Sequence, residues 1–189
     1  MASGLAGLAR ADVLRRCETP TARHLETTGA TRGAARAPPR PGVIAMIEIQ
    51  KEFEVQQPPL AVFDLLDDLE RTPQWNVRCV EVRQVSPGPR GVGTKLQYVY
   101  RDPQRSGTMD GEITEYERGR ALAMRYADPM ISVAVSFHLA PAGTGTRITH
   151  QIRVEPRTLM VKLMTPMIRG ATEKQTAGSV AKLTELLRA

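Results

Sequence analysis

The side chains whose chemistry most needs placing are one histidine, a group of tyrosines and a pair of acids. His150 stands in a run where Ile148, His150, Ile152 and Val154 alternate with Arg147, Thr149, Gln151 and Arg153, so it shares the apolar face of a strand. Imidazole titrates near neutrality, which makes His150 the candidate catalytic acid or base. Leu96, Tyr98 and Tyr100 share one strand face, and Leu122, Met124 and Tyr126 share another. A buried phenol needs a hydrogen-bonding partner, so these tyrosines read as polar handles in apolar surroundings, able to polarise a carbonyl. Asp110 and Glu112 alternate with Met109, Gly111 and Ile113, which turns both acids to solvent unless the strand is bulged. His24 lies near the N-terminus and His138 on the polar side of its strand, and one histidine alone makes no metal site. There is no His-Glu-x-x-His, Cys-x-x-Cys, Gly-x-Ser-x-Gly or phosphate-loop motif, and a turn accounts for Gly88, Gly91 and Gly93. No metal and no cofactor is therefore expected.

The elements that hold these residues follow from periodicity. Ile47, Ile49, Phe53 and Val55 alternate with polar residues, Lys51 being the exception, and predict a strand. Pro58 and Pro59 suit the start of a helix, and Leu60–Leu69 places Val62, Phe63, Leu66 and Leu69 on one stripe, with Pro73 as the stop and Trp75 just beyond it. Strands are predicted over 77–85, 94–101, 108–116, 121–126, 131–139 and 146–154, separated by Gly, Pro and Asp turns too short for parallel crossovers. The last thirty or so residues predict a helix kinked near 165–170, where Pro166 and Gly170 lie. Met160, Met164, Met167, Ile168 and Ala171 form one apolar stripe of it, and Val180, Leu183 and Leu187 another. The fold class is α+β, one antiparallel sheet with helices on one face.

Ile131, Val133, Val135, Phe137 and Leu139 give a wholly apolar strand face. A sheet presenting such faces to the C-terminal helix encloses a space bordered by tyrosines, Met124, His150, Val135 and Phe137. Met164, Met167, Ile168 and Ala171 close it from the helix, and Trp75 lies at its rim or base. Methionines adapt to varied apolar ligands.

Charge is uneven along the 189 residues. The formal net charge is +6, but residues 1–45 hold seven arginines against three acids, with ten alanines and none of the eight aromatics. Residues 1–45 read as a disordered Arg/Ala-rich extension, an over-long start included among its explanations, and 46–189 as the folded domain. The body is nearly balanced, which argues against nucleic acid as a partner. No apolar run reaches the ~18–20 residues of a bilayer span, and Cys17 and Cys79 make no disulfide framework. A cytoplasmic setting is expected, and oligomeric state leaves no signal.

Several stretches, in order, resemble the START-like (SRPBCC) superfamily, which includes Bet v 1-like proteins and polyketide cyclase/dehydrase and lipid-transport proteins. They are Val55–Glu70, Pro73-Gln-Trp75, Gly91-Val-Gly-Thr94, Ile113-Thr-Glu-Tyr-Glu117 and Gly143–Thr149. The resemblance covers 46–189 and implies a helix-grip, a seven-stranded antiparallel sheet around a long C-terminal helix with a hydrophobic cavity between. It implies binding or transport of a small hydrophobic molecule, a lipid, isoprenoid or polyketide. The alternatives are a polyketide cyclase or aromatase using His150, and a regulatory or toxin-like interaction module.

Overall fold

The computed structural model describes residues 46–102 and 106–188; the expected N-terminal extension lies outside them. Strand β1 (Ile47–Val55) follows the alternation, with Ile47, Ile49 and Val55 buried and Glu48, Gln50, Glu52 and Glu54 exposed. Lys51, on the apolar side, stays exposed. Helix α1 (Pro59–Asp67) begins on a proline, whose missing N–H has no helical partner to lose there, and buries Val62, Phe63, Leu65 and Leu66.

The helix stops earlier than the pattern predicts. Asp68 is extended, and its carboxylate accepts the Glu70 backbone N–H at 3.2 Å, opening a 3-10 turn (Leu69–Arg71). Pro73 then falls in the first turn of a short helix α2 (Thr72–Trp75), starting a helix where a stop was expected.

Six strands follow: β2 (Cys79–Gln84), β3 (Lys95–Arg101), β4 (Ser106–Glu117), β5 (Ala121–Ala127), β6 (Ile131–Ala142) and β7 (Gly145–Pro156). The sheet order is β1-β7-β6-β5-β4-β3-β2 and every adjacent pair is antiparallel. Because β1 and β2 occupy opposite edges, α1 and α2 carry the chain across the sheet. Gly119 and Gly143 turn two of the hairpins at φ of +76° and +58°, where a side chain would be strained. A bulge in β4 between Ile113 and Glu115 shifts the inward face from odd to even residues. Tyr116 consequently points inward, packs edge-on against Phe63 at 5.3 Å and donates to Asp67 Oδ2 at 3.2 Å, fastening α1 to the sheet.

The C-terminal helix is broken at Met164 into α3 (Leu159–Leu163) and α4 (Thr165–Leu186), just before the expected region, with Pro166 in the first turn of α4. Its buried face is Thr172, Thr176, Ser179 and Leu183. The expected methionine stripe turns out: Met160, Met164, Met167 and Ala171 are exposed, and Ile168 alone of that set is half-buried. Helical spacing generates both faces equally well, and the face that meets the sheet is the one with small side chains. The Val77 N–H donates to Ser179 Oγ at 3.4 Å, and α4 packs against α2 and β1. No helix among the described residues is long and apolar enough to cross a membrane.

Candidate ligand cavity

Burial along the inner face of β6 divides the molecule. Phe137 and Leu139 are buried, whereas Ile131, Val133 and Val135 on the same face are only partly covered. The register extends this division across the sheet. Leu122, Phe137 and His150 form one cross-strand layer, and Tyr126, Val133 and Val154 a layer nearer the open end. At that end lies a cavity of about 150 Å³.

Its walls differ in chemistry. Met109, Ile131, Val133, Val135, Ile152 and Val154 give an apolar floor, and Ile168 and Thr172 of α4 form the roof. Asn76, Arg78 and Asp102 gather at one side with Tyr98 and Tyr100, and Gln175 of α4 adds a further polar group to the lining. Arg78 Nε lies 2.8 Å from an Asp102 carboxylate oxygen, so the guanidinium charge at this side is already balanced. Asn76 hydrogen-bonds the Tyr98 side chain. Burial is the main reason that both the Tyr98 and Tyr126 hydroxyls are held well above the ordinary phenol range, so both stay protonated and able to donate. Tyr126 donates to Met124 Sδ at 3.1 Å. Burial also pushes the Cys79 thiol up to about 12, leaving it without thiolate character.

Two glycines make the room. Gly107 is paired with Tyr100 and Gly111 with Tyr126 across β3–β4 and β4–β5. A Cβ on Gly107 would come within 2.6 Å of the Tyr100 hydroxyl, and one on Gly111 would run into the Tyr126 ring. The rings therefore lie down over bare backbone, and the volume they would otherwise fill stays open. Roof hydroxyls are spent within α4: Thr172 donates to the Ile168 carbonyl and Thr176 to the Thr172 carbonyl, both at 2.8 Å. This leaves α4 a small roof that makes no cross-cavity bond through these groups.

The residues singled out in the sequence are distributed over three places. Tyr98, Tyr100, Tyr126, Val135 and Ile168 line the cavity. Trp75, Leu96, Met124, Phe137 and His150 are buried in the sheet and helix core without lining it, with Trp75 edge-on to Phe137 at 5.7 Å. Met164, Met167 and Ala171 are on the outside of the helix. Asp110 is exposed, and Glu112 is paired with Lys95 at 2.5 Å on the outer face. His138 is exposed, 3.4 Å from Glu115.

His150 is 3% exposed and stacks on Phe137 with ring centroids 4.2 Å apart and planes 6° from parallel. Its Nδ1 lies 3.2 Å from the Ser136 carbonyl. A carbonyl only accepts, which assigns the proton to Nδ1. Burial lowers its pKa from 6.5 to about 4, the carbonyl bond opposing that shift in part. His150 is thus neutral at pH 7 and one layer beneath the cavity floor.

The sequence pattern missed Asn76, Arg78, Asp102, Thr172 and Gln175. Arg78 and Asp102 are brought together only by the pairing of β2 with β3, and no local motif marks them. Thr172, Thr176 and Ser179 do fall at helical spacing with Leu183 of the second apolar stripe, but being polar they are passed over when only apolar residues are counted.

An aromatase/cyclase, Zhui, from Streptomyces sp. R1128 superposes with a TM-score of 0.65 at 11% identity, covering 76% of this chain and 94% of that one. A START superfamily protein from Mycobacterium smegmatis gives 0.58 at 18% identity, over 74% and 98% of the two chains. A protein from Thermus thermophilus gives 0.63 at 17% identity, over 74% and 96%. At these identities the likeness is one of fold. No curated protein matches the chain. The family model described as polyketide cyclase/dehydrase and lipid transport matches residues 46–188. With its sheet, its C-terminal helix and that match together, the chain belongs to the polyketide cyclase/dehydrase and lipid transport family.

Proposed function

We propose that the protein binds a small, mostly apolar molecule of one or two rings that carries a hydroxyl or carbonyl group. The observation that carries this reading is the amphipathic cavity, in which half-covered Ile131, Val133 and Val135 face a polar side built from Asn76, Arg78, Asp102 and Tyr98. A cavity of about 150 Å³ is of the size that takes a benzene ring in an engineered protein core. The Arg78–Asp102 pairing favours a neutral hydrogen-bonding group over a free carboxylate, since the cation already has its counter-ion. A long lipid, an isoprenoid or a multi-ring polyketide enters this reading only with outward movement of α3 and the start of α4.

A cyclase reading draws on the tyrosines. Protonated Tyr98 suits donation to a carbonyl, and Tyr126 does so by exchanging its weak Met124 Sδ acceptor, whereas His150 sits beneath the floor and against an aromatic ring. In such an enzyme His150 orders the core, and a proton carrier comes from elsewhere.

Native mass spectrometry of the full chain, followed by denaturing release and a thermal-shift panel of phenols, naphthols and aromatic ketones, tests the binding reading. The expected result is a released apolar molecule or a saturable rise in melting temperature that Thr172→Leu removes by filling the roof. No bound mass and no shift across the panel would count against it.

A further inference from the structure

The corner where α3 meets α4 places large apolar side chains in water. Leu159 is 78% exposed, Met160 70%, Leu163 85% and Met167 57%, with Met164 between them at 42%. Positions 159, 160, 163, 164 and 167 follow helical spacing, so they form one outward stripe across the break, while Val161 and Ile168 turn inward. Met130, also exposed, stands on the turn before β6, and its carbonyl accepts the Arg157 N–H at 2.8 Å just before α3 begins. A patch of this kind on one corner marks an interaction surface.

Charge selects the partner. Between Glu155 and Glu173 the segment carries Arg157, Lys162 and Arg169 and no acid. Arg157 Nη1 donates to the Asp128 carbonyl at 3.0 Å, and Arg169 has an exposed partner in Glu173 at 3.9 Å, a pairing too solvated to cancel its field. Exposed apolar side chains and cations on one segment are the two components of binding to an anionic bilayer surface. Ile131 and Ile168, next in the chain to Met130 and Met167, are themselves cavity-lining residues, so the surface adjoins the pocket.

We infer that the α3–α4 corner docks on anionic lipid membranes, with Leu159, Met160, Leu163 and Met167 inserted at the headgroup–acyl boundary. This holds whatever the cavity carries.

The test is flotation of the full chain with vesicles of phosphatidylcholine alone and of phosphatidylcholine with phosphatidylglycerol, at low and high salt. Binding to the anionic vesicles is expected, weakening in salt as the cations are screened. Leu163→Glu with Met160→Glu is expected to lower partitioning by at least about tenfold, given what each buried methylene contributes. Both side chains are exposed, so an unchanged melting temperature is expected and separates docking from folding. The seven arginines of residues 1–45 can also draw the chain to anionic lipid. Binding that survives the double substitution would overturn the inference and assign it to that segment. Absence of binding to anionic vesicles would overturn it too, as would a dimer by light scattering that the same substitutions dissolve, because a second copy would then cover the patch.

Discussion

The two ends of one sheet are built from nearly the same residues and end up with opposite properties. β6 offers Ile131, Val133 and Val135 at one end and Phe137 and Leu139 at the other, all on one apolar face. At the Phe137 end the facing elements bring Phe63, Trp75, Leu183 and Leu187, and the interior closes. At the Ile131 end α4 brings Ile168, Thr172 and Gln175, two of them polar, and the interior stays open. Beyond the room left by Gly107 and Gly111, the difference lies in the helices laid over the sheet. A sheet face cannot tell a filled core from a cavity, because both require apolar side chains. What the opposite element presents decides.

Truncation separates the ends most sharply. Phe137→Ala removes a ring held between Trp75 and His150 and is expected to cost about 3–5 kcal/mol, whereas Val133→Ala, beside space already empty, costs about 1 kcal/mol or less. Chemical denaturation of the two variants measures both, and equal losses would erase the distinction.

Acid comes next. His150 has its folded pKa lowered to about 4 against an unfolded 6.5, so the unfolded chain takes up the proton first. Its contribution to stability is complete above pH 6.5 and is lost as pH falls toward 4, by about 3 kcal/mol for one fully buried imidazole. His150→Phe is expected to flatten that part of the pH–stability curve. An unchanged slope would mean that the imidazole is reached by water, and would return it to the list of groups able to exchange protons with a ligand.

Glycine-to-alanine changes give the smallest contrast. A Cβ on Gly145 meets the Val55 carbonyl, which is backbone and cannot move aside, so overpacking of about 1–3 kcal/mol is expected. On Gly107 it meets the far end of Tyr100, which has open cavity beside it; the expected cost is under about 1 kcal/mol, with ligand affinity lost as the ring is displaced. Calorimetric melting of both, with a binding titration of Gly107→Ala, checks the pair.

Much of the fold is legible in the sequence because each strand is covered on one face. Alternation from Ile47 to Val55 and from Ile131 to Leu139, with short Gly-rich turns between strands, specifies the meander. Less of the cavity is legible. Tyr98, Tyr100 and Tyr126 can be found as phenols on apolar faces, but the room around them depends on Gly107 and Gly111 in the neighbouring strand, which only register brings opposite. The helix misleads for a plain reason. In its second half the expected stripe holds, with Leu183 and Leu187 buried, but in its first half the most apolar stripe, Met160, Met164 and Met167, faces water and the buried positions are Thr172 and Thr176, whose hydroxyls are bonded back to their own helix. Hydrophobicity ranks those faces in the wrong order. His150 illustrates a further limit, since alternation places it on the inner face without saying how deep along the strand the cavity reaches.

The Ile131 end is proposed as a ligand site and the Phe137 end as core, a contrast open to direct measurement. Methyl-resolved NMR of the full chain, titrated with phenol and then 2-naphthol, addresses it directly. Saturable shifts confined to the methyls of Ile131, Val133, Val135, Ile152, Val154 and Ile168 are the predicted result. Shifts centred on Leu122, Leu183 and Leu187, or none that saturate, would contradict it.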